Sequence, residues 1–76
     1  MKYTRIRELR EDLDLTQTKI AEALNLTQRT YSRYETGERN IPIDVLSDLA
    51  DFHKTSVDYL IGRTNCKKPY PNKNKE

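Results

Sequence analysis

From residue 28 to residue 35 the chain reads Gln-Arg-Thr-Tyr-Ser-Arg-Tyr-Glu. On a helix, Tyr31 and Tyr34 share one face, and Gln28, Arg29, Ser32 and Arg33 fall on the other. The Gln amide offers a donor beside an acceptor, and the Arg guanidinium offers two parallel donors. These match the major-groove edges of adenine and guanine respectively. Gln28, Arg29 and Arg33 stand at i, i+1 and i+5, so they present together from the N-terminal half of the helix. The ordinary alternative for such a face is solvation alone. This face, however, has no acid before Glu35, whereas the other helices carry mixed charge.

Other chemistry has few residues to work with. His53 and Cys66 are the chain's one histidine and one cysteine. They cannot supply a four-ligand metal site, and one thiol cannot close an internal disulfide. His53, followed by Lys54, reads as a helix end favoured by the dipole. Cys66 lies beside Lys67 and Lys68, which favour its thiolate, yet no base or orienting partner accompanies it. No phosphate loop or carboxylate pair is present. The reading is therefore not an enzyme, with no metal, no cofactor and no small-molecule ligand.

The elements that would position the 28–35 segment are helices. Ile6, Leu9, Arg10 and Leu13 fall on one face of a first helix. Thr16 is placed to cap a second, with Ile20, Ala21 and Leu24 inward, and Asn25 suits its left-handed end. Thr27 caps the third, roughly residues 28–35, and Gly37 stops it. Pro42 opens a fourth with Asp44 in the first turn and Val45, Leu46, Leu49 and Ala50 inward. Thr55 or Ser56 caps a short fifth carrying Val57, Leu60 and Ile61, and Gly62 ends it. Two residues, Asn25 and Leu26, are too few to let the second and third helices lie antiparallel. They must cross steeply, and small Ala21 permits the close approach.

Length and charge set the outer limits. Seventy-six residues, 34% hydrophobic, suffice for one small domain. Fourteen Lys and Arg against twelve Asp and Glu leave a net charge of +2. Residues 62–76 hold five basic residues and one acid, so residues 1–61 are net −2. Overall basicity therefore does not argue for a nucleic-acid partner; placement must. Residues 65–76, with Pro69, Pro71 and four lysines, read as a disordered basic tail after a domain of residues 1–64. The longest apolar run is Tyr59–Ile61, far below the ~20 residues of a membrane span. With no signal-like N-terminus, a cytoplasmic protein without membrane contact is expected.

One charge sits where an apolar residue belongs. Arg10 lies between Leu9 and Leu13 on the apolar face of the first helix, and Glu35 ends the third beside Tyr34. A charge on a buried face needs a partner, so the two are expected to pair; the alternative is that Arg10 snorkels to water.

Arg10, Thr16-Gln17, Ala21, Thr27-Gln28, Glu35, Gly37, Arg39 and Pro42 together resemble the phage repressor/Cro family, whose bacterial members are the XRE-type helix-turn-helix regulators. The ending Thr55-Ser-Val-Asp-Tyr-Leu-Ile-Gly62 is similar to the fifth-helix signature of that family. The likeness covers roughly residues 3–64. It implies an all-α, compact five-helix lambda-repressor-like domain, with the helix-turn-helix in helices 2 and 3. It further implies binding of double-stranded DNA at a pseudo-palindromic operator, as a homodimer, in transcriptional regulation. By the same resemblance Gln28, Arg29 and Arg33 read bases, Gln17 holds a phosphate, Arg39 and Asn40 touch the backbone, and Arg10 and Glu35 form an ion pair. Thr16 and Thr27 begin helices whose free N–H groups suit phosphate oxygens. Asn25 departs from the usual Gly, and Tyr31 from a smaller aliphatic, which bears on how helix 3 seats in the groove. Val57, Tyr59, Leu60 and Ile61 are the dimer-interface candidates. The competing function is a protein-interaction module of the same fold, an antitoxin or antirepressor partner that does not bind operator.

Overall fold

Side-chain hydroxyls open three helices of this chain. In the computed structural model, which describes residues 2–71, α1 spans Thr4–Asp12, α2 Gln17–Ala23, α3 Gln28–Thr36, α4 Ile43–Phe52 and α5 Val57–Leu60. Thr16, Thr27 and Ser56 accept the N–H groups of Lys19, Thr30 and Tyr59 respectively. Each bond satisfies one of the donors a helix start leaves open. Ser56 is thus the cap of α5, while the Thr55 hydroxyl donates to the Lys67 carbonyl at 2.6 Å. Pro42 stands at the N-cap of α4 and Asp44 in its first turn.

The helix ends share a device. Asp14, Asn25, Lys54 and Gly62 all have positive φ, between 55° and 85°. In each case the next residue's N–H reaches back across the last turn: Leu15 to the Arg10 carbonyl, Leu26 to Ala21, Thr55 to Ala50 and Arg63 to Asp58. These Schellman closures satisfy carbonyls at the helix end and reverse the chain sharply. α3 closes on Gly37 itself, at φ 82°. A Cβ there would also lie 2.9 Å from the Lys2 Cβ, so the position requires glycine for space as well as conformation.

The core takes Ile6 and Leu9 from α1, Ile20 and Ala21 from α2, Tyr31 and Tyr34 from α3, Ile41 from the loop, Leu46, Leu49 and Ala50 from α4, and Leu60 from α5. α2 packs chiefly on α3 and α4 on α5, while α1 touches both α3 and α5 and so joins the two pairs. Burying each Leu or Ile fully is worth about 1.5–3 kcal/mol.

Three sequence expectations change here. Leu13 does not face inward. α1 stops one residue earlier, and the turn at Asp14 leaves Leu13 54% exposed. Leu60 is not an interface residue: it is 1% exposed, drawn into the core as α5 folds onto α4. Val57, Tyr59 and Ile61 are half-buried. His53 does not serve the helix dipole as a cation. It is buried, its Nε2 has no hydrogen-bond partner among the described residues, and its ring meets Phe52 edge-on. Burial first, and the Lys67 charge second, hold its pKa below the ordinary 6.5.

Residues 65–71, within the segment composition reads as disordered, lie against the domain. Arg5 Nη1 donates to the Tyr59 and Thr64 carbonyls at 2.7 and 2.6 Å, and its Nη2 to Asn65 Oδ1 at 2.6 Å. The same guanidinium stacks over the Tyr59 ring, 4.1 Å from its centroid. Tyr70 donates its hydroxyl proton to Asp58. The rest of that tail, including Lys73 and Lys75, lies outside the described residues. Among the described residues no helix is long and apolar enough to cross a membrane.

The buried imidazole gives a pH signature. The unfolded chain takes up a proton near pH 6.5 and the folded chain only at lower pH, so this group's contribution is complete above 6.5 and is lost as pH falls below it. Thermal denaturation followed between about pH 5 and 8 should show that decline, and His53→Gln should flatten it.

Candidate nucleic-acid interface

Glu35 is 4% exposed, too buried to ionise without donors around it. It has four. Arg10 Nε lies 2.6 Å from Oε2 and Nη2 lies 3.2 Å from Oε1. The Tyr31 hydroxyl donates to Oε2 at 2.6 Å, and Gln17 Nε2 donates to Oε1 at 3.1 Å. Arg10 spends a further donor, Nη1, on the Leu15 carbonyl at 2.8 Å. One carboxylate therefore fastens α1, α2 and α3 together, and the arginine opposite it also grips the turn between α1 and α2.

The protonation states follow. Burial pushes the Glu35 carboxyl up, but hydrogen bonds from Arg10, Tyr31 and Gln17 outweigh it and hold the group below its usual range. The hydrogen bond to Glu35 raises Arg10 above its ordinary value. Burial first, then donation to Glu35, raises the Tyr31 phenol, so it remains a donor.

The network continues to the surface. Gln28 Nε2 donates to Gln17 Oε1 at 2.7 Å. Gln28 and Arg29 are both exposed on the first turn of α3. Arg33 stands apart from them, in the last turn, half-buried with its Nε 3.4 Å from Glu38 Oε2. Such a pair at the surface is weak and readily exchanged. Thr16 and Thr27 are exposed at the starts of α2 and α3, their oxygens engaged as caps, and Thr27 Oγ1 also donates to Thr30 Oγ1 at 2.9 Å. Gln17, the first residue of α2, is turned toward Glu35 and Gln28 rather than outward. Arg39 and Asn40 are exposed in the loop after α3, where the Arg39 N–H donates to the Arg33 carbonyl at 3.2 Å. Asp44, Asp48 and Asp51 are exposed on α4. Gln28, Arg29, Thr16 and Thr27 thus mark the adjoining starts of α2 and α3, with Arg33, Arg39 and Asn40 toward the far end of α3.

Two residues near this site escaped the sequence reading. Lys2 and Arg7 line an open cleft of about 260 Å³ with Arg10, Gln17, Glu35 and Thr36. Arg7 had a legible signal, one turn before Arg10 on α1, although it is paired with Glu11 at 3.1 Å. Lys2 had none, because the close approach of the N-terminus to Gly37 places it there.

Two capped helices joined through a left-handed Asn25, the second displaying Gln and Arg, agree with the family pattern described as "Helix-turn-helix", which matches residues 6–60. The chain belongs to this helix-turn-helix family. Among curated relatives, YobD of Bacillus subtilis (strain 168), named an uncharacterized HTH-type transcriptional regulator, is 35% identical over 65 residues, covering 86% of this chain and 58% of that protein. AnsR of the same organism, also an HTH-type transcriptional regulator, is 34% identical over 71 residues, covering 93% and 61%. ImmR, a third such regulator of that organism, is 34% identical over 64 residues, covering 84% and 50%. The chain spans between half and about three-fifths of the length of these relatives. No solved structure matches the chain significantly.

In this helix-turn-helix domain the Arg10–Glu35 pair carries structural weight. Arg10→Ala should cost about 3–5 kcal/mol in urea denaturation, because it leaves a buried carboxylate short of two donors. The Glu35 contribution should be complete at neutral pH and fade as acid protonates the carboxylate, since the folded group is the stronger acid.

Proposed function

We propose that this chain binds double-stranded DNA in a sequence-specific manner and regulates transcription. α3 enters the major groove, where Gln28, Arg29 and Arg33 contact bases. Thr16, Gln17, Thr27, Arg39 and Asn40 contact the phosphate backbone. The observation that carries this reading is the exposed Gln28–Arg29 pair opening α3, beside the start of α2, in a chain of the helix-turn-helix family. The names of the relatives, each a transcriptional regulator, support it. Repression is the simplest outcome, because occupancy of a promoter is enough for it.

The reading includes a homodimer on a pseudo-palindromic operator, with half-sites about 10 bp apart, since one small domain covers little DNA. Val57, Tyr59 and Ile61 are its interface candidates. All base-contacting residues lie within 1–64, and the lysines that follow add non-specific attraction to phosphate.

Two substitutions separate base reading from backbone contact. Arg33→Ala should cost roughly 1–3 kcal/mol on cognate DNA and relax specificity at one position, through a side chain that first leaves Glu38. Arg39→Ala should weaken cognate and random duplexes alike and flatten the salt dependence by about 0.9 in slope. The measurement is binding to both duplexes across a salt series. Equal losses in the Arg33 variant would make that residue a backbone contact. No effect from either variant would bring forward the interaction-module function.

A further inference from the structure

One side of α5 is spent on the core, where Leu60 packs toward α4. The other side is taken by the chain's own continuation. The Arg5 guanidinium lies over the Tyr59 ring and bonds the Tyr59 and Thr64 carbonyls and Asn65 Oδ1. Just before the helix, the Thr55 hydroxyl holds the Lys67 carbonyl at 2.6 Å. Tyr70 donates to Asp58, and Pro69 and Tyr70 line an open cleft of about 370 Å³ with Val57. Residues 64–70 thus form a strap across the residues named above as dimer candidates. While it is seated, a second α5 has no access to Val57 or Tyr59.

The strap is held by directional bonds rather than by burial. Residues 65–71 are all exposed, Tyr70 by 64%, and none of them is Leu, Ile or Val. Single hydrogen bonds in reach of water hold weakly. The strap also has a pivot. Gly62 is left-handed at φ 85°, and a Cβ there would meet nothing within 4 Å, so the chain turns at that point without being packed.

The charges beside this face suit a second copy of the same chain. Arg63 Nε lies 3.9 Å from Asp58 Oδ1, the outer limit of an ion pair, with the arginine side chain 74% exposed. Such a pair exchanges readily. An interface built on a two-fold axis pairs residue i with j and j with i. One acid and one base on the same face meet that requirement.

We propose that the outer face of α5 is the surface for a second copy of this chain, and that residues 64–70 compete with that copy for it. When the strap lifts, Arg5 releases Tyr59 and Tyr70 releases Asp58. Val57 and Tyr59 then pack on their counterparts, and Arg63 pairs with the partner's Asp58. The competition keeps free chains apart. Two chains side by side on DNA have a high local concentration, which displaces both straps. The inference rests on the reading of α5 as the dimer face.

The test is sedimentation equilibrium of the full chain without DNA. Arg5→Ala releases the strap and uncovers Tyr59, so it should tighten self-association by about fivefold or more. Tyr70→Ala, at an exposed position, should do so by about a factor of two, and it keeps the test open should Arg5→Ala fold poorly. Unchanged or weaker self-association in both variants would overturn the competition while leaving the dimer face. Charge reversal identifies that face. In Asp58→Arg or Arg63→Asp taken alone, like charges oppose across the two-fold axis. The two variants mixed should associate about tenfold more tightly than either alone, since each acid again meets a base. A mixture no tighter than its components would overturn the reading of α5 as the dimer face, and the inference with it. A second measurement follows the strap itself. The Thr64 and Asn65 backbone amide signals of the wild type, recorded by NMR as protein concentration rises, should move toward their positions in Arg5→Ala. Signals that stay fixed while the dimer forms would also overturn the competition.

Discussion

Sealing a carboxylate away from water is costly, and the neighbours of Glu35 must offset that cost with donors. Those donors come from α1, α2 and α3, so the three helices can satisfy Glu35 only in one mutual arrangement. Hydrophobic burial holds them together but is non-directional. The carboxylate, with Arg10 opposite, supplies the direction. The Arg10 bond to the Leu15 carbonyl extends the same constraint into the turn that launches α2.

Around this node the chain relies on sharp reversals. A domain this small spares few residues for connections, and three of the four closures with a left-handed residue, at Asp14, Asn25 and Lys54, let one helix stop about a turn before the next starts, while the fourth, at Gly62, ends α5. Only one of those four residues is glycine. Asp14, Asn25 and Lys54 accept an unfavourable conformation in exchange for the satisfied carbonyls behind them. α1 then does double duty. Its Arg10 side serves the helix-turn-helix, and its Arg5 grips α5 and the segment after it. The helix-turn-helix pair α2–α3 and the α4–α5 pair are thereby held together by one nine-residue helix.

The exposed end of this network is the start of α3, where Gln28 and Arg29, the proposed base contacts, reach the surface. Gln28 is not a loose surface side chain, since its amide bonds Gln17, which bonds Glu35. Arg29 is exposed beside it, and Arg33 is drawn toward Glu38. Stability and the proposed recognition therefore share residues. Hydrogen bonds run unbroken from buried Glu35 through Gln17 to the exposed Gln28.

Most of the local structure was legible in the sequence. Hydroxyl caps at Thr16, at Thr27 and at Thr55 or Ser56, breakers at Asn25, Gly37 and Gly62, and helical spacing of apolar residues depend on short-range geometry that each segment carries within itself. The misplaced charge of Arg10 likewise announced that a partner was needed. What stayed hidden is what depends on distant segments meeting. Leu13 sat in register for burial, yet the reversal at Asp14 turned it out. Leu60 could face a partner or the core by its spacing, and only the packing of α5 on α4 decided. Composition reads residues 65–76 as loose, and nothing in it records that Arg5, sixty positions earlier, bonds Asn65. His53 looked like a helix-end cation until burial made its charge unfavourable. The sequence alone thus determined where most helices begin and end and which two form the helix-turn-helix. The tertiary structure alone decided which side chains are buried, which charges meet and which way the Gln28 amide points, because desolvation and hydrogen-bond direction exist only once remote surfaces are in contact.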